Sequence, residues 1–184
     1  MKTVKTLFFA FAVGTFMISC GQSKEKLRTS IESAEARLYK DEMRLPSKVV
    51  ADSVVNLYSE FAKQFPEDTM SPDYLFRAGD LCYSVKEFPQ AIASFGLIQQ
   101  KYSNYKKAPL ALFLQGFIAE NGMSDAKEAK VYYEKFLQKY PENKLAKDVK
   151  ISLDNLGKSP DELIKEFEQK ANAASDSAKP SAIN

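Results

Sequence analysis

The chain has 184 residues, with 26 basic side chains against 24 acidic ones and neither histidine nor tryptophan. Charges this close to balance, with the two signs interleaved, exclude the basic footprint that a nucleic-acid backbone requires. The lack of histidine removes the commonest general base, and neither a phosphate-cradling glycine loop nor a paired metal-ligand spacing is present, so the composition points away from catalysis and from a cofactor.

Lys2 and Lys5 open the chain. An apolar run follows from Leu7 to Phe11 and continues through Ala12, Val13, Phe16, Met17 and Ile18. A bilayer-spanning helix needs about 20 apolar residues, whereas the apolar part of a secretory signal needs about 7 to 15. The length predicts a cleaved export signal over residues 1–19. The segment closes on Met17-Ile18-Ser19-Cys20-Gly21, which resembles a bacterial lipobox. That resemblance implies attachment of diacylglycerol to the Cys20 thiol, cleavage before it and a lipidated tether over residues 20–23. With Gly21 rather than aspartate after the cysteine, it also implies an outer-membrane anchor facing the periplasm. Each buried methylene of an acyl chain contributes about 0.8 kcal/mol, so two or three chains hold a protein on a bilayer without help. After residue 20 no apolar stretch is long enough to cross a membrane, and the body is expected to be soluble and surface-tethered. With Cys20 taken by lipid, Cys82 stands alone as a core residue and no disulfide framework is available.

Three segments align without gaps: Phe61 to Glu67, Ile98 to Asn104 and Phe136 to Glu142. Their shared aromatic falls at Phe65, Tyr102 and Tyr140, a period of 37 and then 38 residues, which suits a repeat of two helices. The pattern within these repeats resembles the tetratricopeptide family. The middle repeat offers Leu75, Ala78-Gly79, Cys82 in an aromatic slot, Ala91 and Phe95, with Ser103 where proline is usual. The third offers Leu112, Gln115-Gly116, Ala119, Ala129, Tyr133 and Pro141, with one extra residue in its turn. The first keeps only its second helix, through Val54, Tyr58 and Pro66. Gly79 and Gly116 lack a Cβ and permit a close approach of the paired helix, for which Ala91 and Ala129 are the small partners.

The predicted fold is an all-α, tetratricopeptide-like solenoid of about four antiparallel helix pairs. Helices are expected near 24–43, 47–64, 72–85, 87–101, 107–121, 125–139, 143–156 and 160–172. Ser159, Pro160 and Glu162 form a helix-start signal. The array then occupies residues 24–156. A C-terminal segment over 157–172 is expected to cap it through Leu163, Ile164 and Phe167, and residues 173–184, poor in large apolar side chains, form a disordered tail.

In the tetratricopeptide family the first helix of each pair lines a concave face. The resemblance therefore implies a partner-binding groove containing Phe76, Asp80, Tyr83, Phe113 and Phe117, with Asp73, Leu110 and Glu120 on the same stripes. Asp73 and Asp80 read more simply as solvated helix charges than as a catalytic pair. The repeat block over residues 47–156 resembles the lipoprotein subunit of the outer-membrane β-barrel assembly machinery and the C-terminal repeats of the periplasmic coordinator of the Tol–Pal system. An envelope scaffold or adaptor is the favoured function. A chaperone-like holder of exported polypeptides is the alternative, and an enzyme the least favoured. Partners are then other envelope proteins or exported chains, together with the membrane through the lipid, and no nucleic acid, metal or small-molecule substrate is called for.

Overall fold

Eight helices follow one another in the computed structural model, which describes residues 23–39 and 46–177. They are α1 (Lys24–Leu38), α2 (Lys48–Gln64), α3 (Ser71–Ser84), α4 (Phe88–Lys101), α5 (Ala108–Asn121), α6 (Ala126–Lys139), α7 (Ala146–Asn155) and α8 (Pro160–Ser177), and no strand occurs among the described residues. The expected signal segment over residues 1–19, Cys20, the end of the first expected helix at residues 40–43, and residues 178–184 lie outside the described residues. From α1 to α7, each helix packs on the next. This is the α-solenoid that the repeat predicts.

The sequence period has a backbone counterpart. Phe65, Tyr102 and Tyr140 end α2, α4 and α6 with nearly one set of dihedrals, φ −126, −132 and −133° with ψ 59, 49 and 52°. The same turn follows each time. Asp68 N–H donates to the Phe65 carbonyl and Ser71 N–H to that of Asp68; Tyr105 and Ala108 repeat this after Tyr102, and Asn143 and Ala146 after Tyr140. Ser103 makes this turn as well as Pro66 and Pro141 do, so proline stops the helix without being needed for the geometry.

Counting from that aromatic places most of the buried positions of α3 and α5. At nine, thirteen and sixteen residues on, α3 offers Tyr74, Ala78 and Leu81, which belong to a cluster with Leu27, Ile31, Val54, Tyr58 and Phe61 of α1 and α2. At ten and seventeen residues on, it offers Leu75 and Cys82, which join Ala91, Phe95 and the core running on to Val149. Fourteen residues on, the position is Gly79 in α3 and Gly116 in α5. A Cβ built on Gly79 would come within 2.6 Å of the Phe95 ring, and one on Gly116 within 2.5 Å of the Tyr133 ring. The ring four residues after Ala91 or Ala129 thus fills the space each glycine leaves. Burial pushes the Cys82 thiol up to about 11, which keeps it an inert core group.

α7 breaks the pattern on one face only. Ala146, Val149, Leu153 and Leu156 hold it against the core. The slots that meet the following helix in α3 and α5 are Lys150, Asp154 and Gly157 in α7, all exposed. A charged side chain stands where a glycine would admit a ring, so α8 has no apolar seat. α8 is well started: Ser159 N–H donates to Glu162 Oε2 at 2.7 Å, and Glu162 N–H donates to Ser159 Oγ at 3.3 Å. None of its described residues is buried, and Ile164 and Phe167 are 57% and 77% exposed. Of the three residues expected to cap the array, Leu163 is half-buried, and Ile164 and Phe167 are left uncovered. The polar outer face of α7 ends it, as the terminal unit of a solenoid must. The helix also continues to Ser177, through the first residues of the expected tail.

Because α8 has no buried side chain among residues 160–172 and is tied back by the half-exposed Lys158–Glu166 ion pair, such a pair being worth at most about 1 kcal/mol, ending the chain at Lys158 should move the melting temperature by less than about 3 °C. Circular dichroism of the truncated chain would then lose only the α8 contribution. A drop above roughly 6 °C would place α8 back on the array.

Candidate partner-binding face

Along α3 and α5, residues eight, eleven, fifteen and eighteen positions past the capping aromatic fall on one helical stripe. In α3 these are Asp73, Phe76, Asp80 and Tyr83; in α5 they are Leu110, Phe113, Phe117 and Glu120. The two stripes meet, since the Tyr83 and Phe117 rings lie edge to face with centroids 6.2 Å apart. Phe117 in turn lies 6.1 Å from Phe113, and Phe113 stacks at 6.3 Å on Tyr133.

The four expected aromatics do not share one open surface. Phe76 is 6% exposed; its ring meets Phe95 at 5.3 Å and carries the Lys107 ammonium over its face at 4.5 Å from the centroid. It belongs to the core. Phe113 and Phe117 are half-buried and packed against that core, whereas Tyr83 is 40% exposed. The accessible part of the face is therefore Tyr83, the outer faces of Phe113 and Phe117, and Asp80 between Phe76 and Tyr83 on the α3 stripe.

Towards α1 the face becomes an ion ladder that residue patterns hardly announce. Arg77 donates to Glu35 Oε1 at 2.8 Å and to Asp73 Oδ2 at 2.9 Å. Tyr105 donates its hydroxyl to Asp73 Oδ1 at 2.8 Å, and Lys107 reaches that oxygen at 3.4 Å. The Tyr58 hydroxyl donates to Glu35 at 2.5 Å. Burial alone would raise the Asp73 carboxyl, but Tyr105, Lys107 and Arg77 together outweigh it and hold the group below its usual range. Burial and the Glu35 bond push the Tyr58 phenol far up, so it stays a neutral donor. The Asp73–Arg77 pair is an i,i+4 pattern readable from sequence; Tyr105 and Lys107 sit in the turn before α5 and carry no such signal.

Asp80 differs from Asp73. It accepts no hydrogen bond and joins no ion pair among the described residues, and crowding by the protein raises its carboxyl despite the field of Lys107. Glu120 is engaged, accepting from the Tyr133 hydroxyl at 2.6 Å. Among the described residues no three His, Cys, Asp or Glu side chains are placed to hold a metal ion, and no helix is long and apolar enough to cross a membrane. A cleft of about 500 Å³ beside Pro66, Thr69, Pro72 and Tyr102 takes in none of the face residues.

Residues 110–143 match the tetratricopeptide repeat. The match runs from Leu110 on α5 to Asn143 in the turn after α6, and so covers most of the third repeat, including its closing Pro141. No curated protein matches the chain. An all-helical solenoid carrying such a repeat is a scaffold for protein–protein interaction.

Proposed function

We propose that the protein is a scaffold or adaptor of the bacterial cell envelope, lipid-anchored through Cys20 on the periplasmic side of the outer membrane, which holds partner proteins on the concave face of its repeats. The observation that carries the binding role is the half-exposed aromatic cluster of Tyr83, Phe113 and Phe117 beside Asp80. Aromatic side chains offer large contact area for little lost rotamer freedom, and concave solenoid faces take extended or helical peptides. The anchor rests on the lipobox-like run at Met17 to Gly21 and on the lack of any later apolar stretch long enough to hold a membrane.

Photo-crosslinkers placed at Tyr83 and, as a comparison, at Val131 on the exposed side of α6 test the face in intact cells. Partners captured from Tyr83 and not from Val131 support it; equal capture from both would refute it. Replacing Cys20 by serine should move the protein from the membrane fraction to the soluble fraction while leaving the far-ultraviolet circular dichroism of the array intact. Undiminished membrane retention of Cys20→Ser, with no acyl group found by mass spectrometry, would remove the anchor from the reading.

A further inference from the structure

Two cations on the α1 side of the face are already engaged. Arg77 is shared by Glu35 and Asp73, and Lys107 lies between Asp73 and the Phe76 ring. The acids are not all so engaged. Asp80 on α3, and Asp148 at the Asp73 register of α7, join no ion pair among the described residues. The face is thus divided. Its α1 side is a ladder of ion pairs, and its α5 side combines half-exposed rings with an exposed carboxylate that joins no ion pair.

Resting on the reading of this face as the partner site, we infer that its occupant is a basic peptide segment, whose arginine or lysine lays its aliphatic stem and charge against Tyr83 and Phe117 while the head group pairs with Asp80. Three physical terms favour a cation there. Asp80 is exposed and joins no ion pair, so a partner's cation can reach it without displacing another charge, and the protein beside it makes their attraction stronger than in bulk water. The π faces of Tyr83 and Phe117 attract a cation at close range. An arginine fork offers two parallel donors to one carboxylate. An acidic segment would set its charge against Asp80, while Arg77 and Lys107 on the α1 side are already held by Glu35 and Asp73.

The same geometry makes Asp80 expendable for folding. A carboxyl whose pKa is raised in the folded chain is ionised more readily in the unfolded one, so at neutral pH its charge lowers stability, and Asp80→Asn should be neutral or slightly stabilising.

The test uses the full-length protein and three fluorescein-labelled peptides in one Gly/Ser frame, carrying repeated Arg-Phe, Ala-Phe or Glu-Phe units, read by fluorescence anisotropy. Arg-Phe should bind at least about ten-fold more tightly than Glu-Phe, with the gap narrowing as salt screens it. Asp80→Asn should erase the gap with unchanged circular dichroism, and Asp80→Lys should reverse it. Equal binding of Arg-Phe and Glu-Phe, or a preference that survives in Asp80→Asn, overturns the inference. If Tyr83→Ala abolishes binding while peptide charge makes no difference, the face remains the partner site and the basic occupant is wrong. If no peptide binds, or binding ignores both Tyr83 and Asp80, the reading of the face falls with it.

Discussion

Replacing Gly116 by leucine should cost the protein about 4 kcal/mol and lower its melting temperature by roughly 10 °C or more. Even a bare Cβ at Gly116 would come within 2.5 Å of the Tyr133 ring, where carbon atoms rest at about 3.5–4 Å. The ring cannot retreat freely, because Tyr133 is fully buried and its hydroxyl donates to Glu120 at 2.6 Å. Moving it sacrifices packing on Phe113 and strands a buried phenol, a further penalty of about 1–3 kcal/mol. The better helix propensity of leucine returns less than about 1 kcal/mol. Since a solenoid is held together neighbour by neighbour, amide exchange should rise most in α6 and α7 and least in α1 and α2. Gly96→Ala is the control. Its Cβ would meet only the Gln115 side-chain nitrogen at 3.2 Å, so stability should stay within about 1 kcal/mol of the parent. If Gly116→Leu melts with the parent, the packing of α5 on α6 is not as described.

The contrast between those glycines shows what residue patterns carry. The capping aromatics at Phe65, Tyr102 and Tyr140 are legible because one turn geometry recurs at each, and the offsets from them fix which positions face a neighbour. Gly79 and Gly116 stand out since glycine inside an apolar helix is costly unless something needs its space. The identity of the intruding atom, Phe95 or Tyr133, lies on another helix and follows only from the pairing. α8 shows the opposite case. Its stripe of Leu163, Ile164 and Phe167 states which side is apolar, but periodicity cannot state what covers it. The information was in α7, where the repeat register puts Lys150 and Asp154 in the slots of Leu75 and Gly79. Phe76 was misplaced for a related reason. It shares the register of Phe113, yet Lys107 and Phe95, from the turn before α5 and from α4, close over its ring, and no local pattern links those residues to it.

The partial burial of Phe113 and Phe117 sets the last expectation. A fully buried phenylalanine replaced by alanine costs about 3–5 kcal/mol; two half-buried rings should together cost about 3 kcal/mol. Phe113→Ala with Phe117→Ala should therefore unfold at lower denaturant, with the midpoint shifted and the slope unchanged. Tyr83→Ala should cost under about 1 kcal/mol, because the Tyr83 ring is 40% exposed and touches only Phe88 and Phe117 among the aromatics. Binding lost in the phenylalanine pair would then confound recognition with loss of structure, whereas binding lost in Tyr83→Ala would report recognition alone. The two variants divide the cluster into a supporting layer and a contact layer. Phe113 and Phe117 hold their outer ring faces in place by resting on the core, and Tyr83, one helix away, reaches over Phe117 to complete the surface. Were Phe113→Ala/Phe117→Ala as stable as the parent, the rings would be free of the core and the whole cluster would be contact surface. Were Tyr83→Ala as damaging as the pair, Tyr83 would belong to the supporting layer too, and Asp80 would stand beside a wall of packed rings with no exposed aromatic to receive a partner's side chain.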